Sequence, residues 1–256
     1  MKRLKHWWRE HWRLASVITL CSVIVAGLLL FRLGSLAGNM SAGEAAAAHA
    51  AGSWHNLVDN PLYAPLKAVQ WLLFFVIPHH GQTITRLPSV LFGVSSIWAF
   101  AYILRNWYGV RTAIFGTILF AFSSWFLHAA RLADFDIMYL WGMLMLIATH
   151  IMVDRAKRSL TLLTATMLTA LILYIPGMVW LIALNLVWQW GTLWHQAKEL
   201  FRWWHWLLAI FSFAVLVALL GWAFWQDTGL IRTWLGAPNH FASVFTIIKQ
   251  FAKIPW

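Results

Sequence analysis

Ser41-Ala42-Gly43-Glu44, followed by Ala45-Ala46-Ala47-Ala48, is the stretch from which the rest of the chain is read. It lies within residues 32–86, the longest polar interruption of an otherwise apolar sequence of 256 residues. Serine followed three residues later by glutamate is the capping-box spacing. The serine hydroxyl accepts from the glutamate backbone N–H, and the glutamate carboxylate accepts from the serine backbone N–H. The spacing predicts a helix over Ala42–Ala51 with Ser41 as its cap. A lone acid in such surroundings is equally well explained as a catalytic base. The two roles are compatible only if the Glu44 carboxylate can leave the cap.

Outward from this stretch, composition sets the class. Hydrophobic residues make up 61% of the chain and charged residues 11%, with a mean hydropathy of +0.68. Soluble domains are roughly half apolar and about a quarter charged. The chain therefore reads as an all-α integral membrane protein. Its net charge of +11 does not point to nucleic acid. The basic residues are scattered between apolar runs, as in loops that face an anionic leaflet. The single cysteine, Cys21, lies in an apolar run and leaves no intrachain disulfide and no cysteine-built zinc site.

Residues 1–13 form a basic, aromatic flank, and residues 14–31 an uninterrupted apolar run behind it. That run is longer than the ~7–15-residue core of a secretory signal, so it reads as a retained anchor. Six further apolar segments follow at 87–104, 112–130, 137–153, 160–175, 178–194 and 206–225, giving about seven transmembrane helices. Residues 14–225 are then the membrane domain and 226–256 an external C-terminal segment. Tyr174-Ile175-Pro176-Gly177 separates the fifth and sixth segments as a hairpin or as a kink in one helix.

With seven spans, twelve of the 19 Lys and Arg residues fall on the side of the N-terminal flank, in short segments. By the positive-inside rule that side is cytoplasmic and residues 32–86 are external. Five of the eight acids, Glu44, Asp59, Asp134, Asp136 and Asp227, then lie outside. Asp134 and Asp136 crowd a short turn, His128-Ala-Ala-Arg-Leu-Ala-Asp-Phe-Asp136, at the mouth of two spans. Ionisable groups at membrane depth are expensive and tend to be paired or functional. Arg131 is the expected partner, a guanidinium that would keep both carboxylates charged and oriented. A solvated charged turn is the competing reading.

A second helix is expected in the first external loop. Asn60-Pro61-Leu62-Tyr63 opens it, and Leu62, Leu66, Val69, Leu72 and Leu73 recur at helical spacing beside Lys67 and Gln70. This pattern describes an interfacial helix lying along the membrane. Ile77-Pro78-His79-His80-Gly81 ends it. The expectation is a bundle of spans roofed by two short amphipathic helices.

Several features together resemble a known family. They are Arg86-Leu87-Pro88-Ser89 leading into the second span, the Arg131-Leu-Ala-Asp-Phe-Asp136 turn, and an acid at a helix start after the first span. The chain resembles polyprenyl-phosphate-sugar glycosyltransferases with the C-type glycosyltransferase fold. The branch is that of protein O-mannosyltransferases and lipid A aminoarabinose transferases, glycosyltransferase family 39-like, over about residues 3–177. The resemblance implies an inverting sugar transfer on the outer face, from a lipid-linked phosphosugar to the hydroxyl of a lipid or protein acceptor. It implies catalytic roles for Glu44 and Asp136. Arg131, Arg86 and Lys67 would meet the lipid phosphate, with Asp134 and Tyr63 completing the substrate site. Two departures are visible. Glu44 is followed by alanines where an aromatic is usual, and a Lys-Pro-Pro element is reduced to Asn60-Pro61-Leu62. Known relatives are longer, so the chain reads as such an enzyme or as its N-terminal catalytic half.

No metal is required by this reading, although two carboxylates with water ligands suit Mg2+ or Mn2+. His79 and His80 are adjacent, and His49 and His55 are six apart, so neither pair has ligand spacing. The 20 tryptophans cluster near span ends as interfacial belts. Headgroup contact explains Lys67 and Arg86 as well as ligand binding does. Two readings from other classes stand beside the enzyme: a transporter or flippase of a lipid-linked substrate, and a membrane subunit without chemistry. A transporter calls for polar residues or broken helices at mid-membrane.

Overall fold

The computed structural model describes residues 16, 19–31, 33, 41–77, 81–201 and 203–236. Residues 1–15, 17–18, 32, 34–40, 78–80, 202 and 237–256 lie outside the described residues, and with them the basic flank and the expectations for His79 and His80. The described residues form helices and no strand. In chain order these are α1 (Thr19–Leu30), α2 (Ala42–Ala51), α3 (Trp54–Asp59), α4 (Ala64–Val76), α5 (Gln82–Tyr108) and α6 (Val110–Ala121). They continue as α7 (Ser124–Arg131), α8 (Asp136–Asp154), α9 (Ser159–Ile172), α10 (Met178–Leu200), α11 (Trp203–Gln226) and α12 (Gly229–Trp234).

Among the described residues three helices, α5, α8 and α11, are long and apolar enough to cross a membrane. A fourth span exists if α6 and α7, bent by 60° relative to each other, count as one. The expected seven are not reached, for local reasons. The run at 112–130 is broken at Phe122-Ser123, where the Ser123 hydroxyl accepts from the backbone N–H of Phe126 and caps a new helix. Helix α9 has only 14 residues. Helix α10 has 23, but Asn185, Gln189, Lys198 and Glu199 interrupt its apolar character. The described part of α1 is equally short of spanning length.

Around Tyr174-Ile175-Pro176-Gly177 the chain reverses. Gly177 has φ +76°, a left-handed conformation that costs glycine nothing and other residues about 1 kcal/mol or more. Val153 and Ala156 at the end of α8 cluster with Leu162 near the start of α9 and with Leu193 and Leu200 near the end of α10. At the opposite end Ile172, Ile175 and Met178 cluster with Ile137 and Met138. Helices α8, α9 and α10 therefore run up and down alternately, and the break is a hairpin.

Helix α5 is the hub, packing on α4, α6, α7 and α8. A Cβ at Gly93 would meet the Ala130 Cβ at 2.8 Å, so glycine is what lets α5 and α7 approach. Within lipid such close packing is a main source of helix–helix affinity, because leaving one apolar medium for another gains little. Helix α5 begins at Gln82, before the expected 87, and carries Arg86 inside it. The charge does not break the helix because it is neutralised by a partner.

The loop 32–86 holds three helices, the six-residue α3 being additional to the two expected. The capping box of α2 forms as its sequence predicts: Glu44 N–H donates to Ser41 Oγ at 3.1 Å and Ser41 N–H to Glu44 Oε2 at 3.0 Å. Helix α4 lies with its polar side inward. Lys67 and Gln70 are buried together with Leu66, while Leu72, Phe75 and Val76 are exposed. Gln70 is held by donating to the Thr85 backbone carbonyl at 3.0 Å. An apolar outer face with polar groups inside is the arrangement expected of a helix whose outer neighbour is lipid.

Candidate functional site

The α2–α4 end of the bundle is built on a buried ion pair. Arg86 Nε and Nη2 donate to Glu44 Oε1 at 2.6 Å and Oε2 at 2.9 Å, and both side chains are at most 2% exposed. Arg86 Nη1 donates to the Leu33 carbonyl at 2.7 Å. The backbone N–H of Ala133 donates to Glu44 Oε1 at 3.1 Å. With Ser41 N–H on Oε2, the Glu44 carboxylate accepts four hydrogen bonds, which fills its capacity. The Arg86 hydrogen bonds, aided by those from Ala133 and Ser41, hold its carboxyl well below the usual carboxylate range, at about 2, against the opposing effect of burial. A carboxylate so held is a weak base. Glu44 faces its own helix and a partner at once, and ties α2 to α5 and to the turn before α8.

That turn carries the acids. Asp134 packs directly over α2: a Cβ at Gly43 would lie 2.9 Å from Asp134 Oδ2. Asp134 Oδ1 accepts from the Phe135 N–H at 2.7 Å. Asp136 is the first residue of α8, at the positive end of the helix dipole. Both acids line an open cavity of about 400 Å³. Its walls are two stripes at helical spacing. One is Trp125, His128, Ala129 and Leu132; the other is Asp136, Tyr139, Leu140 and Met143. Each stripe follows i, i+3, i+4, i+7. The site pairs an apolar side of Trp125, Leu140 and Met143 with a polar side of His128, Asp134, Asp136 and Tyr139.

Behind Tyr139 stands Tyr63, whose hydroxyl lies 2.7 Å from the Tyr139 hydroxyl and whose ring stacks on Phe135 at 4.1 Å. Tyr63 is the sole non-glycine residue with positive φ among the described residues (φ 61°, ψ 25°). Such a conformation costs about 1–3 kcal/mol and persists only where surrounding contacts over-determine it. Here those contacts are Phe135, Tyr139, and a backbone hydrogen bond from Tyr63 N–H to the Tyr174 carbonyl at 2.8 Å. Burial, then the Tyr139 hydroxyl, pushes the Tyr63 phenol upward.

The cations expected at a phosphate are not assembled on this cavity. The Arg86 fork is spent on Glu44 and Leu33. Arg131 does not pair with Asp134 or Asp136. Its Nη2 donates to the Phe31 carbonyl at 2.8 Å, and its Nε is buried without a partner among the described residues. Lys67 Nζ donates to the Asn60 carbonyl at 2.8 Å and sits 5.8 Å from the Phe135 ring centre. Burial lowers its ammonium to about 8. The structure thus brings Asp134, Asp136 and, through Tyr139, Tyr63 to one place. Glu44 and Arg86 lie in the support beneath, and Lys67 and Arg131 at the flanks.

Trp125, His128 and Tyr139 are cavity residues absent from the sequence-level set. Tyr139 was accessible to it as the i+3 neighbour of Asp136. Trp125 and His128 needed the bend at Phe122-Ser123. No three His, Cys, Asp or Glu side chains converge on a metal site among the described residues, so a divalent ion here would rest on two carboxylates, water and a substrate. No known protein family, curated protein sequence or solved structure matches the chain.

Proposed function

We propose that the chain is a membrane glycosyltransferase that moves a sugar from a polyprenyl-phosphate donor to an acceptor hydroxyl at the outer face, with inversion. The N-terminus is cytoplasmic in this reading and the α2–α4 end of the bundle is external. The observation that carries it is the open cavity in which Asp134 and Asp136 stand without a cationic partner among the described residues, on a turn fixed by Glu44.

Asp136 acts as the base. Its carboxylate takes the proton of the acceptor hydroxyl, the acceptor oxygen forms a bond to the anomeric carbon, and the bond from that carbon to the phosphate oxygen breaks. The lipid phosphate departs with the electron pair on the opposite face. Asp134 and Tyr139 orient sugar hydroxyls. Arg131 and Lys67 approach the phosphate from the flanks as the donor enters, a rearrangement that the Arg131 Nε left without a partner makes inexpensive. Glu44 and Arg86 are positioning residues. The direct test is sugar transfer by Asp136→Asn with a panel of polyprenyl-phosphate hexoses and pentoses.

A specific observation favours the transporter or flippase as second reading. His150 Nδ1 lies 2.7 Å from Asn185 Oδ1, and Gln189 Nε2 donates to the His150 carbonyl at 2.8 Å and to Asp154 Oδ1 at 3.1 Å. Gln189 lies in the middle of α10. Such a polar cluster, reaching from Gln189 to the Asp154 end of α8, is the kind of group a carrier would use. Movement of a labelled polyprenyl-phosphate sugar between leaflets of a liposome, without transfer to an acceptor, would select it. Neither activity would select the subunit without chemistry.

A further inference from the structure

A second cavity of about 400 Å³ lies between α8, α9, α10 and α11, toward the end of the bundle opposite the Asp134–Asp136 site. Its volume falls within the ~300–1,000 Å³ of ligand-binding cavities. Thr166 and Thr169 of α9, Asn185 and Gln189 of α10, and Ala209 and Phe213 of α11 are among its walls. The threonines offer methyl groups only. Thr166 Oγ1 donates to the Leu162 carbonyl and Thr169 Oγ1 to the Ala165 carbonyl, each at 2.9 Å. Asn185 and Gln189 are engaged by His150 and Asp154. The lining is therefore predominantly apolar, with its polar groups already paired.

The large exposed residues of its lining, Leu186 on α10 and Ile210 and Phe213 on α11, are apolar. Helices α10 and α11 both pack on α9, and they meet at their shared end, where the Trp194 and Trp206 rings lie 6.2 Å apart. Val187 and Trp188 on α10, and Ile210 and Phe211 on α11, are exposed on the outer surface. A molecule entering between these helices from a bilayer has to do so as hydrocarbon. At the Ala197–Phe201–Trp206 end the cavity is bounded by the α8–α9 connection and the last turn of α10, which carry exposed Lys157, Arg158 and Lys198, the Lys198 Nζ lying 4.7 Å from the Trp194 ring centre. Arg155 nearby is turned to Asn106. Among the described residues the acids at this end are Asp154, held by Gln189 and 3.5 Å from His150, and Glu199, 3.6 Å from His195. Positive charge remains in excess. The other end is lined by Leu173 and Ile182 and carries no charge.

We propose that this cavity seats one acyl chain of an anionic phospholipid, with the headgroup on the basic rim of Lys157, Arg158 and Lys198. The site is independent of sugar transfer and stands or falls apart from it. Bilayer phospholipid is the occupant because the entrance is apolar along its length and basic at one end only, which fits a hydrocarbon chain with one terminal anion.

The test uses the full chain in nanodiscs that contain phosphatidylglycerol bearing a photoactivatable diazirine in its acyl chain. Peptide mapping after irradiation is expected to place adducts on the inward side of α9 and α10, at Thr166, Thr169 or Asn185. Adducts confined to Val187, Trp188 and Phe211 would overturn the proposal, since they report ordinary boundary lipid. In parallel, mass spectrometry of the intact protein is expected to show phosphatidylglycerol retained over phosphatidylcholine. That preference should fall about fivefold for each charge removed in Lys157→Gln, Arg158→Gln and Lys198→Gln. Equal retention of the two lipids by the wild-type chain would contradict the basic rim. Ala209→Phe, which fills the cavity, is expected to abolish the inward adducts. Their persistence at wild-type yield, with helix content unchanged, would also overturn it.

Discussion

Arg86 and Glu44, 42 positions apart in sequence, meet through two hydrogen bonds of 2.6 and 2.9 Å, with neither side chain more than 2% exposed. A guanidinium and a carboxylate in fork-to-fork contact form one of the stronger polar interactions available to a protein. Breaking such a pair from one side leaves a buried charge alone, at a cost of about 3–5 kcal/mol. Arg86→Met and Glu44→Gln are each expected to lower the thermal unfolding temperature sharply in detergent. The double variant Glu44→Leu/Arg86→Met should recover much of the loss, because no charge is then stranded. Additive losses would mean that the two residues act separately.

The same pair makes stability depend on pH with a fixed sign. The folded carboxyl of Glu44 is depressed to about 2 from an ordinary value of 4.5. Its contribution is therefore complete above pH 4.5 and is lost as pH falls toward 2. The difference in unfolding temperature between wild type and Glu44→Gln should be largest at neutral pH and shrink across that window.

Lys67 carries the opposite lesson. Burial lowers its ammonium from 10.5 to about 8, so between these values the unfolded chain binds more protons than the folded one. Stability should rise with pH across that interval. Lys67→Met should flatten the rise, as read from unfolding temperatures measured from pH 7 to 10.5.

Gly43→Ala probes the link between α2 and the cavity. Alanine favours a helix interior by about 1 kcal/mol over glycine. Its Cβ, however, would stand 2.9 Å from Asp134 Oδ2 and 3.4 Å from Asp134 Cγ. The expected outcome is an unfolding temperature within a few degrees of wild type and sugar transfer reduced at least about tenfold, since a misplaced group near the chemistry is costly. Unchanged transfer would separate Asp134 from the reaction.

What could be read in advance divides along range of interaction. The α2 helix and its cap were legible because a capping box is completed within four residues. The reversal at Pro176-Gly177 was legible as one of two outcomes, and the contacts of Leu162 with Leu193 and Leu200 chose between them. The span count was over-read because a continuous apolar run does not reveal a helix break such as that at Ser123. The partner of Glu44 was out of reach. Arg131 was expected to pair with Asp134 and Asp136, and Arg86 to meet a lipid phosphate or headgroup; tertiary packing instead assigns Arg86 to Glu44 and Arg131 to the Phe31 carbonyl. The inward polar face of α4 was likewise hidden, since periodicity shows that a helix has two faces but not which one meets lipid.

The central claim is that Asp136 is the proton acceptor of a sugar transfer. Its most direct measurement is transfer of radiolabelled sugar from the polyprenyl-phosphate panel by wild type and by Asp136→Asn, both reconstituted and matched for unfolding temperature. General-base catalysis contributes about 10²–10⁴-fold. The expected result is turnover by wild type with at least one donor, reduced by at least about a hundredfold in the variant. Turnover by Asp136→Asn equal to that of wild type, or none by wild type with any donor, would contradict the claim.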